Sequence, residues 1–104
     1  MRLAFTPEFR SRLDGLFEYI RDQSGSTTVA RRTVTGILSR VSILRSYPDA
    51  GMRLCRDDDT DTGVMILILG RYIVTYVRTK DTILVTSLLD SRTEEFSELR
   101  NKKQ

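Results

Sequence analysis

The stretch VMILILGRYIVTYVRTKDTILVTSLL, residues 64–89, decides how the rest of this chain must fold. It holds three apolar and β-branched runs: Val64–Leu69, the segment to Arg78 that follows Gly70, and Ile83–Leu89. Valine, isoleucine, threonine and tyrosine pack well on a pleated surface, so the pattern predicts three consecutive strands. Gly70-Arg71 supplies the first turn. Lys80-Asp81 supplies the second, where aspartate tolerates the positive φ that tight hairpins require. An antiparallel meander of this kind needs its apolar faces covered.

The cover is found upstream. Met1–Phe5 alternates Leu3 and Phe5 with Arg2 and Ala4, as an edge strand would. Thr6-Pro7-Glu8 is a helix start: a threonine cap, proline at the first helical position and an acid against the dipole. Phe9, Leu13, Leu16, Phe17 and Ile20 then form one apolar stripe, which Ser24-Gly25-Ser26 brings to an end. From Thr27 or Thr28, Ala30, Val34, Ile37, Val41 and Leu44 make a second stripe, closed by Pro48. Two amphipathic helices joined by a Ser/Gly turn form a hairpin that covers one face of the sheet. After the strands, Ser91 and Glu94 have capping-box spacing and predict a short helix from about Arg92 to Asn101. The fold class is therefore α+β: a short N-terminal strand, an antiparallel helical hairpin, a three-stranded antiparallel meander and a short C-terminal helix. With 104 residues the chain is expected to form one domain, 1–104.

Composition narrows the chemistry. The chain has no histidine, which removes imidazole general-base catalysis and His-containing metal sites. The single cysteine, Cys55, excludes an internal disulfide and fits a reducing cytosol. No run approaches the length of a membrane span, so a cytoplasmic protein is expected. Arginine outnumbers lysine fourteen to three, and residues 1–48 carry eight arginines against four acids, which suits an acidic partner and equally well the solvated faces of two helices. Asp49–Thr62 reads as a polar connection. Its Asp57-Asp58-Asp59-Thr60-Asp61 run resembles a calcium loop only in part: Thr62 stands where the turn glycine belongs and Ile68 where the bidentate glutamate belongs. No metal and no cofactor are expected. Cys55 has Arg53 and Arg56 beside it but no candidate base, so catalysis there is not expected. Arg71, Arg78 and Arg92 with Tyr72 and Tyr76 are the material available for contact with phosphate.

Three local motifs carry a family resemblance: Pro48-Asp49-Ala50-Gly51 at the end of the hairpin, Arg56-Asp57-Asp58 in the connection, and Gly70-Arg71-Tyr72-Ile73-Val74-x-Tyr76 in the second strand. Taken in this order, with the arrangement of elements, the chain resembles the RelE/ParE superfamily of small bacterial toxins, and its ParE branch most. Two positions depart from the family pattern. Met65 stands where many relatives have arginine, and Leu89-Asp90-Ser91-Arg92-Thr93-Glu94 stands where they end the last strand with Leu-His-Gly-Arg-Arg-Asp. The resemblance implies a non-enzymatic toxin of a type II toxin–antitoxin, or plasmid and chromosome stabilisation, system. It implies DNA gyrase as target and a ParD-like antitoxin that neutralises the toxin in a hetero-oligomer. Arg71, Arg78, Arg92 and Glu94 are the target-binding candidates it leaves. The alternatives are a RelE-type ribosome-dependent mRNA endonuclease, which would bring direct contact with nucleic acid, or a degenerate relative without toxicity.

Overall fold

The computed structural model describes residues 1–55, 61–93 and 95. Strand β1 (Arg2–Phe5) leads into α1 (Pro7–Ser24) and α2 (Thr27–Val41), then a 3-10 turn at Ser42–Arg45. Strands β2 (Met52–Cys55), β3 (Asp61–Leu69), β4 (Tyr72–Arg78) and β5 (Thr82–Asp90) follow. The sheet order is β1-β5-β4-β3-β2, with β1 parallel to β5 and the other pairs antiparallel.

The helix boundaries follow from side-chain chemistry. The Thr6 hydroxyl accepts the Phe9 N–H at 3.1 Å and donates to the Thr86 carbonyl at 2.8 Å, so the residue that starts α1 also fixes it to β5. Gly25 donates its N–H to the Arg21 carbonyl at 2.8 Å and closes α1, while Ser26 caps α2 by accepting the Val29 N–H. The second helix is shorter than its stripe suggests, because the chain tightens into the 3-10 turn after Val41. Residues three apart eclipse one another in that geometry, so Val41 and Leu44 both stay in the core.

The main core lies between the helical hairpin and one face of the sheet. Phe9, Leu13, Ile37, Val41 and Leu44 pack there against Leu67, Val74, Tyr76, Ile83, Val85 and Leu88. Phe5 stacks on Phe9 with ring centroids 5.3 Å apart, which ties β1 to the start of α1.

The meander has four strands, one more than the sequence reading. Strand β2 lies within the segment read as a polar connection. Only Leu54 of its four residues is buried, so no inward–outward alternation marks it in the sequence. Pairing with β3 gives it backbone partners, and Leu54 joins a second apolar cluster on the far face with Ile66, Ile73 and Leu89. That far face is thus only partly open. Ile73 is 2% exposed, whereas Ile68 and Met52 are 46% and 53% exposed near the β2 edge.

The Pro48–Gly51 turn is held by the core. The Tyr76 side chain is fully buried, and its hydroxyl donates to the Pro48 carbonyl at 3.0 Å and accepts the Gly51 N–H at 3.1 Å. A Cβ on Gly51 would meet the Ile66 carbonyl oxygen and stand 2.5 Å from the Tyr76 hydroxyl, so only glycine fits. The Arg56–Asp58 motif, the Asp57–Asp59 acids and most of the expected C-terminal helix lie outside the described residues.

Candidate functional site

Gly70 adopts φ +66°, the left-handed conformation that lets Leu69 and Tyr72 pair across a two-residue turn. This projects Arg71 beyond the sheet at the end where β5 finishes. The Arg71 carbonyl accepts the Ser91 N–H at 2.8 Å, which binds that turn to the chain leaving β5. Asp90 organises the junction. Its Oδ1 accepts the Arg92 N–H at 2.9 Å, the local bond by which aspartate shapes a turn, and its carbonyl accepts the Thr93 hydroxyl at 2.7 Å. Its Oδ2 accepts Arg71 Nε at 2.9 Å, and Arg92 Nε stands 3.6 Å from Oδ1.

Helix α1 forms the opposite wall. Arg12, Leu16 and Tyr19 are spaced four and three apart, which puts them on one face of the helix. Arg12 Nη1 and Nη2 donate to the two carboxylate oxygens of Glu95 at 2.9 and 2.7 Å. Its Nε donates to Glu8 at 3.2 Å, and Nη1 also reaches the Leu88 carbonyl at 3.3 Å. Between the walls is an open cleft of about 680 Å³ with Leu16 and Leu88 on its floor and Tyr19 and Tyr72 at its sides. The Arg71 guanidinium lies 5.5 Å from the centroid of the Tyr72 ring, a cation–π contact.

The electrostatics favour the charged forms of Arg12, Arg71, Asp90 and Glu95. The hydrogen bond from Arg12 holds the Glu95 carboxyl below the usual range, and the same bond raises the Arg12 guanidinium. Partial burial pulls Asp90 upward, but the Arg92 N–H and the Arg71 guanidinium outweigh it and leave its carboxyl below the ordinary value. The site is a cluster of three guanidiniums with paired carboxylates and two phenols over an apolar floor. It is suited to gripping an anionic group by position and charge.

Of the residues expected from sequence, Arg71 and Arg92 meet here around Asp90. Arg78 does not: it ends β4, about 20 Å along the strand from Arg71, and pairs with Asp49 at 2.6 Å. Tyr72 lines the cleft, while Tyr76 is committed to the Pro48–Gly51 turn. Glu94 lies outside the described residues. Cys55 is exposed on the β2 edge strand, and among the described residues no three His, Cys, Asp or Glu side chains converge as metal ligands. The reading from sequence missed Arg12, Tyr19, Asp90 and Glu95. The available signal was the seven-residue spacing of Arg12 and Tyr19 along the rim of the first apolar stripe.

A model of the ParE toxins of type II toxin–antitoxin systems, parDE, matches residues 3–95. Among solved structures, a chain from the chromosomal ParDE toxin–antitoxin system of P. aeruginosa has the same fold, with a TM-score of 0.72. It is 20% identical, and the match covers 86% of this chain and 95% of that one. No curated protein matches. With the family model spanning nearly the whole length and the strand–hairpin–meander architecture in common, the chain belongs to the ParE toxin family of type II toxin–antitoxin systems.

Proposed function

We propose that this ParE-family toxin acts by binding DNA gyrase and trapping its cleaved DNA complex, without chemistry of its own, and that a ParD-like antitoxin neutralises it in a hetero-oligomer. The observation that carries the reading is the character of the cleft. Arg12, Arg71 and Arg92 offer fixed positive charge, while Asp90 and Glu95 are held ionised by those same arginines. General acid–base catalysis works best with a group whose pKa lies near the operating pH. With histidine absent from the chain and both of these carboxyls lowered, the cleft is furnished for recognition. Met52 and Ile68, exposed near the β2 edge, give an antitoxin an apolar place to add to the sheet. Action in the cytoplasm and a part in plasmid or chromosome stabilisation belong to the same reading.

Expression of the toxin alone in bacteria tests it. Filamentous cells with an induced DNA-damage response and continuing translation are expected, and purified toxin should block supercoiling by gyrase while cleaved DNA accumulates. Arrest of protein synthesis within minutes, with transcripts cut at ribosomes, would replace this reading with the RelE-type endonuclease. Normal growth with folded toxin present would point to a relative without toxicity.

A further inference from the structure

We propose that the cleft between α1 and the end of β5 receives an acidic segment of a partner protein, and that Glu95 is this chain's own stand-in for that segment. The inference rests on the reading of the cleft as a binding surface and says what kind of group it binds. Glu95 presents both carboxylate oxygens to both terminal nitrogens of Arg12, the forked arrangement by which arginine recognises a carboxylate. Arg71 also holds a carboxylate, that of Asp90, whereas Arg92 reaches the same acid only at 3.6 Å and its side chain is 66% exposed. The cleft therefore already displays the ligand chemistry it accepts and keeps a cation with capacity to spare.

The floor separates two kinds of anion. Leu16 and Leu88 lie beneath the arginines, with Tyr19 beside them. An acidic segment with apolar neighbours matches both levels, whereas a nucleic-acid backbone brings phosphates without apolar groups to cover that floor. The Arg12–Glu95 pair is exposed, so opening it costs little, and an incoming carboxylate can exchange for Glu95 on Arg12. While Glu95 occupies Arg12, the apparent affinity for the partner is reduced by the fraction of molecules in which that seat is taken.

A fluorescein-labelled peptide of sequence TEEFSEL, copied from residues 93–99 and capped at both ends, is the probe, titrated by fluorescence anisotropy against the full chain at low salt. Glu95→Ala should bind it about tenfold more tightly than the wild type, the gain expected if Glu95 holds Arg12 nine-tenths of the time. Adding Arg12→Gln should abolish that gain, and a peptide with glutamine in place of each glutamate should not be held. Equal binding by wild type and Glu95→Ala, or a gain that survives Arg12→Gln, overturns the proposal. Tighter, Arg12-dependent binding of a short DNA duplex than of the peptide overturns it in favour of phosphate. Melting curves of each variant confirm that the fold is kept. Gyrase inhibition left intact by Arg71→Ala would remove the cleft from the proposed function while the peptide titration still decided the role of Glu95.

Discussion

Tyr76→Phe is the perturbation that best tests how the sheet and the inter-element turn depend on one another. The phenol ring fills the main core and its hydroxyl joins Pro48 and Gly51 across more than twenty residues of chain. Phenylalanine keeps the ring, so little cavity is created. It removes one hydrogen bond donated to the Pro48 carbonyl and one accepted from the Gly51 N–H. A hydrogen bond contributes about 1 kcal/mol net, and a buried group left unpaired costs about 1–3 kcal/mol. Both bonds are partly buried, so water can replace part of the loss, and the expected destabilisation is about 1–2 kcal/mol. In urea the midpoint should fall with no change in slope, and the melting temperature should drop by roughly 5–15 °C for a domain of this size. The effect should also depend on pH. Burial holds the Tyr76 phenol above its ordinary value, so the unfolded chain loses this proton first. The stabilisation is therefore complete below about pH 10 and declines as pH rises through the higher folded value. Tyr76→Phe lacks that decline, and the gap between the two proteins should narrow in alkali. An unchanged urea midpoint at neutral pH would refute the account of the hydroxyl as the clasp of the Pro48–Gly51 turn.

Three further outcomes are expected. Phe9→Ala, which empties the buried position between β1 and the main core, should cost about 3–5 kcal/mol in urea unfolding. Arg71→Ala or Arg92→Ala should change stability by less than about 1 kcal/mol, because both ion pairs are exposed, yet strongly weaken growth arrest on expression; Arg78→Ala, at the far end of β4, should leave toxicity intact. Asp90→Asn should lower stability at neutral pH. Because the folded carboxyl is held below its ordinary value, that difference is present above about pH 4 and should vanish as pH falls further, as melting curves across the acid range will show.

The periodicities of residues 1–48 and 64–89 were sufficient to predict both helices, the first strand and the three long strands. The helices and the three long strands each carry a long repeat of apolar residues, and Leu3 and Phe5 alternate just ahead of a clear helix start. Three short motifs, at residues 48–51, 56–58 and 70–76, with the order of elements, brought out the resemblance that the family match over residues 3–95 bears out. Strand β2 escaped because only Leu54 of its residues is buried, which leaves no alternation to read. It is a strand because β3 offers a partner and the far face a place for Leu54. The cleft escaped in larger part for a related reason. Arg71 and Arg92 carried a motif signal, but Arg12 lies some eighty residues before Glu95 and is brought to it only by the packing of α1 on β5. Arg78 is excluded from the cleft simply because it ends β4, whereas Arg71 stands in the turn just before that strand begins. The sequence by itself determined both helices, the first strand and the three long strands, because local propensity and apolar period are properties of neighbours along the chain. Which charges meet was decided only by the tertiary structure, since ion pairing depends on distances that the fold alone creates.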